Sequence, residues 1–479
     1  MLFMGIDVGT QGVRCVVSDE RGNIAAAHSV PFETLNIAGH EGWYEQSPAA
    51  WVSAAEEAIR SCTSQLEHPE TIMAISIDGT SGTIVPLDGD MRPLMNGIMY
   101  NDPRAGAQAK RIHECMGHIE KKLGYKFGAS FSLPRILWVR EEMPEIYEKT
   151  AVFAHQADYI AGLLCGEYRV SDYSNALKTG YDLIDNRWPE EYETVLGLDL
   201  KKLPKIVRPG VAIAHVTKEA CEKLGLPEIA VVTGGSTDGY ASALAAGAVG
   251  AGKWASIIGT TFVLKGVTDK LVIDPNGSSY SHMLPSGEWL LGGAANLGGR
   301  VLNFARGEKS FDELNDASED LIPTGVRCYP LTGKGERFPF VLPDCEAFYI
   351  GDVTGGKLYP AIMEGVGFAE KLAFDHMEAL GCPVGDTIYT TGGACKSALW
   401  LKIRASILNR KLMVPEVVDA AMGSALLAAS NYFGGLEKAA ERMIRYRSVT
   451  EPDPALVEKY AGIYAKFRGD IEKIYGVEV

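Results

Sequence analysis

Twice in this chain an apolar strand runs into a glycine turn and straight back into a second strand. Leu2–Ile6 ends in Asp7-Val8-Gly9-Thr10-Gln11-Gly12, and Val13–Ser18 follows at once. Far along the chain, Trp254–Ile258 ends in Gly259-Thr260-Thr261 and continues as the strand Phe262–Val267. A glycine-bearing turn between strands lets backbone N–H groups approach an anion, and a second copy implies one scaffold built twice. The 479 residues suit that arrangement, because they exceed one ordinary core and fill two domains of about 200–250 residues each. We place these domains at residues 1–248 and 249–479, the division falling in the glycine-rich stretch Gly247–Gly252.

The flanking patterns complete an α/β layer in each half. After the turn signal Asp19–Asn23 a third strand is expected near Ile24–Val30. Ser47-Pro48 opens a helix, the serine capping free N–H groups and the proline losing no bond at the first position. Trp51, Ala55, Ala58, Ile59 and Cys62 then share one face. A buried strand, Thr71–Ile77, ends in Asp78-Gly79-Thr80-Ser81-Gly82-Thr83. In the second half, strands are expected near Ser279–Met283, Trp289–Leu291 and Thr387–Tyr389, with helices near Ser397–Leu408 and Asp419–Tyr432. Amphipathic helices at Glu141–Tyr147, Ala154–Leu164 and Lys218–Leu224 read as an insertion in the first half, walling a pocket or supporting the first domain.

A formal net charge of -15 argues against a general nucleic-acid binder, which needs a basic face. The nine cysteines are scattered, with no CxxC or zinc-ligand spacing, as expected of reduced thiols in a cytoplasmic protein. Met1–Gly5 lacks the basic start of a signal peptide, and no run approaches the ~20 apolar residues of a membrane span. The partners expected are therefore small molecules, with no nucleic acid and no membrane.

Four constellations carry chemistry. Asp7, fixed at a strand end, suits Mg2+ held through water, while Gly9, Thr10 and Gln11 offer donors to phosphate; a plain hairpin with an Asx turn is the alternative. Gly259, Thr260 and Thr261 stand at the equivalent place, so two turns gripping a polyphosphate from opposite sides are expected. Gly234-Gly235-Ser236-Thr237-Asp238-Gly239 follows the apolar strand Ile229–Val232 and presents one carboxylate among glycines. Such a carboxylate suits proton transfer from an attacking hydroxyl; a helix cap before Ala241–Ala246 is the alternative. Thr390-Thr391-Gly392-Gly393-Ala394, leading to Ser397, leaves bare backbone against which adenine or ribose can lie. Asp78–Thr83 and Tyr100-Asn101-Asp102-Pro103-Arg104 add small hydroxyls, amides and a charge pair, a set suited to a polyhydroxylated substrate or to a solvated loop. His155 beside Asp158 reads as structural, and Lys396 completes no P-loop.

In this order the elements resemble the FGGY family of carbohydrate kinases, within the actin/hexokinase/Hsp70 ATPase superfamily, over essentially the whole chain. The resemblance rests on Gly5–Thr10, Glu41–Gln46, Asn101–Arg104, Asp158-Tyr159, Ser171-Asp172 to Asp182-Leu183, and Thr237-Asp238. It continues through Gly259–Thr261, Asn296–Gly299 and Gly392–Ala394 to Trp400. It implies α/β architecture with two duplicated actin/hexokinase-like (ribonuclease H-like) ATPase domains and a cleft between them that closes over ATP and sugar. It implies a kinase that transfers the γ-phosphoryl group of ATP to a terminal sugar hydroxyl, with sugar binding and the catalytic base in the first domain and the nucleotide mainly on the second. Asp238 would be that base, and Asp7, with Asp238, would hold magnesium. Gly9, Thr10, Gln11, Gly259, Thr260 and Thr261 would hold phosphates, and Gly298, Gly392, Gly393, Ala394 and Ser397 would lie along the nucleotide.

The sugar would sit beside Ser81, Gly82, Tyr100, Asn101, Asp102 and Asp238. Similar xylulose kinases carry Met-His where this chain has Ser81 and Gly82. The Asp78–Thr83 run with Tyr100–Arg104 looks more like the ribulose kinases of cyanobacteria and plants, so the expected acceptor is the ketopentose D-ribulose. D-xylulose, glycerol, erythritol and gluconate are the alternatives within the family. An actin- or Hsp70-like ATPase without a sugar, and a catalytically silent sugar-binding protein, are the alternatives from other classes. A homodimer is common among similar kinases.

Overall fold

The computed structural model describes residues 1–37, 40 and 42–478. Glu41, in the Glu41–Gln46 stretch, lies outside the described residues. The chain forms two compact units. The first comprises Met1–Ala245 with His282–Gly287 and Asp419–Ile444; the second comprises Ala246–Ser281, Glu288–Val418 and Arg445–Val479.

Strands β1 (Leu2–Val8), β2 (Gly12–Asp19) and β3 (Ile24–Pro31) form an antiparallel meander, followed by α1 (Pro48–Gln65) and β4 (Ile72–Gly79). Later come α2 (Ser132–Glu142), α3 (Gln156–Cys165), β5 (Ala212–His215), β6 (Val231–Thr233), β7 (Ser236–Thr237) and α4 (Asp238–Ala246). Their sheet runs in the order β5-β6-β4-β1-β2-β3, with β7 also paired to β4. Strand β4 is parallel to both β1 and β6.

Strands β8 (Trp254–Ile258), β9 (Phe262–Thr268) and β10 (Trp289–Ala294) repeat the meander. They lead through α5 (Leu358–Ala379), β11 (Thr387–Thr391), α6 (Ala398–Leu408) and β12 (Lys411–Pro415) to α7 (Ala420–Phe433) and β13 (Tyr446–Thr450). The second sheet contains the order β10-β9-β8-β11-β12-β13, with β11 parallel to β8 and to β12. Both sheets therefore share one topology, a meander with parallel strands added beside its first member.

Near-continuous burial along β1 and β4 means that both faces of the first sheet are covered. Met4, Ile6 and Val8 join a core with Trp51, Ala55 and Ile59 of α1. The alternate residues Phe3 and Gly5 meet α7 instead. Phe3 packs against Tyr432 and Phe433 with ring centroids 5.4 and 5.5 Å apart, and a Cβ on Gly5 would stand 1.8 Å from the Ala421 carbonyl oxygen. Only glycine lets that helix lie so close. So α7, expected as a closing helix of the second half, completes the core of the first unit.

Three local expectations need correcting. Ser47 makes no side-chain cap bond to α1. The helix expected over Glu141–Tyr147 is two, with α2 ending at Glu142 and a short helix beginning at Pro144, because proline lacks an N–H and disfavours helical geometry at Met143. Ala154–Leu164 opens as the end of a strand, Val152–His155, before α3 starts at Gln156. Among the described residues no helix is long and apolar enough to cross a membrane.

Candidate active site

Carboxylates gather at the carboxyl ends of β1 and β4 and just past the end of β7. Asp7 is the Cα partner of Asp78 across the parallel β1–β4 pair, and Asp78 is the partner of Ser236 across β4–β7. Asp238 follows β7 directly as the first residue of α4. Burial pushes the Asp7 carboxyl up to about 7, reinforced by the charges of Asp238 and Asp419 and opposed by a hydrogen bond with Asp78 and by Arg14. Asp78 is wholly buried, and burial, followed by the charge of Asp7, raises it well above the usual carboxylate range. Ser424 of α7 donates to Asp78 Oδ2 at 2.6 Å, and Arg14 pairs with Asp419 just before that helix.

Asp7 Oδ1 is buried without a hydrogen-bond partner. An orphaned oxygen among crowded carboxylates fits a hard divalent cation, whose charge would relieve the repulsion. Among the described residues no three His, Cys, Asp or Glu side chains are grouped to hold a metal. Water and phosphate oxygens would supply the remaining ligands, the environment Mg2+ prefers.

The turn beside Asp7 is held from outside. Gly9 N donates to Gly12 O at 2.9 Å, Phe32 N to Gln11 O at 3.0 Å, and Gln46 Nε2 to Thr10 O at 2.8 Å. A Cβ on Gly9 would lie 3.5 Å from Asp7 Oδ1, so Gly9 borders the acidic cluster, with Thr10 and Gln11 next to it in the turn.

The loops Asp78–Thr83 and Tyr100–Arg104 are brought together by a residue the sequence reading passed over. Arg135 of α2 is fully buried. Its Nη1 donates to Gly82 O at 2.7 Å and Ser130 O at 3.2 Å, and its Nη2 donates to Tyr100 O at 2.6 Å and Asp102 O at 3.3 Å. Burial draws the guanidinium pKa down to about 9, with Asp102 opposing. Ser81 Oγ is buried without a partner, and Lys178 Nζ donates to Ser81 O at 3.0 Å. Tyr100 is half-buried and Asn101 exposed.

Asp102 faces inward. Its oxygens accept from Tyr44 N at 2.6 Å, from Arg104 N and Nε at 2.9 Å, and from Arg104 Nη2 at 2.7 Å. Arg104 also pairs with Glu45 at 2.9 Å and lies 4.0 Å from the Trp43 ring centroid. The Asp102 carboxylate is thus fully engaged, and it fixes Arg104. His155 is structural, its Nδ1 lying 2.6 Å from Asp158 and its Nε2 2.7 Å from the Thr179 hydroxyl.

In the second unit the glycine turns knot together. Gly299 N donates to Gly259 O at 2.8 Å and Arg300 N to Thr260 O at 3.3 Å. A Cβ on Gly298 would stand 2.4 Å from Thr261 Cα, and one on Gly392 would stand 2.4 Å from Ile258 O. Gly259, Thr260, Thr261, Gly298 and Gly392 therefore form one patch, and a Cβ on Gly259 or Gly393 would meet nothing within 4 Å. Ala394 is buried beside this patch. Ser397 is committed to a cap, accepting from Trp400 N and donating to Asn315 Oδ1, both at 3.1 Å. Beneath the patch, Arg404 binds Glu370, Ser256 and Thr390 in a buried cluster.

Residues 2–245 match the N-terminal domain of the FGGY family of carbohydrate kinases, and residues 254–432 match its C-terminal domain. The chain belongs to that family. As an FGGY kinase it is a phosphotransferase with a sugar as acceptor and ATP as donor, which sets aside the readings without a sugar or without catalysis. It is 29% identical over 485 residues to a xylulose kinase of Bacillus subtilis, covering 97% of this chain and 95% of the relative. It is also 29% identical over 453 residues to a gluconokinase of Bacillus subtilis, covering 89% and 86%. The solved xylulose kinase of Rhodospirillum rubrum shares the fold with a TM-score of 0.89 at 23% identity, over 99% of each chain.

For this FGGY kinase the structure gathers Asp7, Gly9, Thr10, Gln11 and Asp238 around the carboxyl ends of the first unit's strands, and Gly259–Thr261, Gly298 and Gly392 in one patch of the second. Arg135 escaped the sequence reading because one arginine in the apolar run Leu133–Val139 looks like a helix surface position. A lone charge amid continuous apolar residues was the signal available. Glu336 escaped too; it receives Asn296 N at 2.6 Å and Leu297 N at 3.3 Å and so fixes the approach to Gly298.

Proposed function

We propose that this FGGY kinase phosphorylates a terminal hydroxyl of a ketopentose, D-ribulose, with Asp238 as the general base. The observation that carries the proposal is the alignment of Asp7, Asp78 and Asp238 at the ends of three registered strands beside the Gly9–Gln11 turn. A carboxylate at the head of α4 is placed to accept the hydroxyl proton as the oxygen attacks phosphorus. Gly9, Thr10 and Gln11 would orient phosphate oxygens through backbone and side-chain donors, and Gly259, Thr260 and Thr261 offer a turn of the same kind. Gly298, Gly392, Gly393 and Ala394 offer bare backbone to the nucleoside, and Ser397 shapes that surface through its cap. Bound Mg2+, held by Asp7 through water and with Asp238 nearby, would neutralise charge developing on the phosphoryl group. The sugar rests against Ser81, Gly82, Tyr100 and Asn101, while Asp102 acts by holding Arg104. The nine free thiols agree with a cytoplasmic enzyme.

The choice of D-ribulose rests on position 82. Gly82 has φ +97, and a Cβ there would stand 2.6 Å from Ser130 O and 3.0 Å from Lys178 Cδ. A side chain such as the histidine of similar xylulose kinases has no room, so the acceptor is recognised by different groups. Coupled ADP release against ribulose, xylulose, glycerol, erythritol and gluconate tests this: D-ribulose should give the highest kcat/KM. A higher value for xylulose or gluconate would overturn the substrate assignment.

A further inference from the structure

Two buried glutamines link the turn beside Asp7 to the loop that follows β4. Gln46 Nε2 donates to Thr10 O and to Thr34 Oγ1, both at 2.8 Å. Gln46 Oε1 accepts from Trp51 Nε1 at 2.7 Å and from Gln156 Nε2 at 3.1 Å. Gln156 Oε1 accepts from Thr80 N at 3.0 Å and from Thr80 Oγ1 at 2.7 Å, and that hydroxyl lies 2.6 Å from Thr83 Oγ1. Gln46, Gln156, Thr80, Thr83 and Trp51 are all within 1% of full burial.

The polarity of this chain is fixed at both ends. The indole N–H of Trp51 and the backbone N–H of Thr80 can only donate, and the Thr10 carbonyl can only accept. Each therefore dictates which end of its glutamine amide it meets, and the two amides are left with one donor facing one acceptor. No bond can be reversed without stranding a buried polar group. The Thr10 turn and the Thr80–Gly82 loop are thus held in one register by side chains that reach neither phosphate nor sugar.

We infer that Gln46 and Gln156 are positioning residues for phosphoryl transfer, setting the phosphate-binding turn against the acceptor-binding loop. This rests on the reading of those two segments given above. In-line transfer demands near-attack geometry, and a small misplacement lowers the rate of the chemical step more than it weakens binding of either substrate alone.

Substitution of glutamine by glutamate separates the links at almost constant shape. Ionised, Gln156→Glu keeps an acceptor for Thr80 but sets an oxygen against Gln46 Oε1, breaking the middle, and Gln46→Glu keeps an acceptor for Trp51 but loses the donor to Thr10 O. Burial raises a carboxyl pKa and the neutral acid regains one O–H donor, so kcat is read well above pH 7, where the links are broken. Each variant should lower kcat on the order of 10- to 100-fold, with the sugar KM and the ADP affinity by titration within about threefold of the parent. Combining the two should cost little more than the worse single change, since the link is broken once. Thr63→Val, which removes a buried hydrogen bond of 2.7 Å to Leu224 O elsewhere in the unit, should lower Tm with kcat unchanged. Glutamate variants that lose Tm as Thr63→Val does but keep kcat would overturn the inference and leave the kinase reading standing. A parent enzyme with no sugar-dependent ADP release would overturn both.

Discussion

Asp7 and Asp78 stand directly opposite each other across the parallel strands β1 and β4, both carboxyls buried and both raised above their ordinary range. Two acids so placed do not both ionise readily in the absence of a cation. Their folded-state pKa values exceed the unfolded ones, so the destabilisation is absent in acid, sets in as pH rises above about 4, and for Asp7 is fully developed by about 7. Asp78→Asn removes one charge and keeps an acceptor for Ser424. Without added metal it should raise Tm by roughly 2 °C or more at pH 8 and by less at pH 5. Thermal melts across that range check this, and an equal shift at both pH values would contradict it.

Asp238→Asn should lower kcat on the order of 100- to 10,000-fold while the sugar still binds. Calorimetric titration with sugar alongside steady-state ADP release separates the two effects. Near-normal turnover would remove Asp238 from the role of base.

Gly82→Ala forces a side chain into a left-handed backbone against Ser130 O. The strain is worth about 1–3 kcal/mol, and because Ser81 is its neighbour the sugar KM should rise several-fold. KM for ATP should hold. Parallel changes in both constants would point to general unfolding.

Arg135→Met removes a donor from four carbonyls, of which Gly82 O keeps Ser132 Oγ at 3.2 Å while those of Ser130, Tyr100 and Asp102 lose their Arg135 bonds. Each buried acceptor left unpaired costs about 1–3 kcal/mol, so Tm should fall by several degrees and the sugar KM should rise. Arg135→Lys, carrying a charge but no fork, should recover only part. Full recovery by lysine would show that charge alone suffices.

The acidic edge was readable because its parts are local. Asp7 ends an apolar strand, Asp238 follows a glycine run, and strand register does the rest. Gly259–Thr261 was readable for the same reason, as a second copy of the first turn. Asp78 reads as loop material, because nothing in its own segment reveals that β4 lies beside β1. Asp102 looked available for substrate, and only the fold shows Arg104 and Tyr44 N filling its oxygens. Ser397 looked like a nucleotide contact, but a serine at a strand-to-helix junction also caps, and here it does. The place of α7 was beyond reach, since it depends on Gly5 meeting Ala421 across almost the entire sequence.

That last contact sets an order of assembly. Ribosomes deliver Phe3 and Gly5 long before Ala421 and Phe433, so one face of that sheet stays bare while the residues between them are made. A polypeptide halted after residue 245 would lack its cover and expose apolar strand surface. Such a fragment should aggregate unless a separate peptide spanning 419–444 is supplied, which makes the first unit a candidate for fragment complementation rather than for autonomous expression.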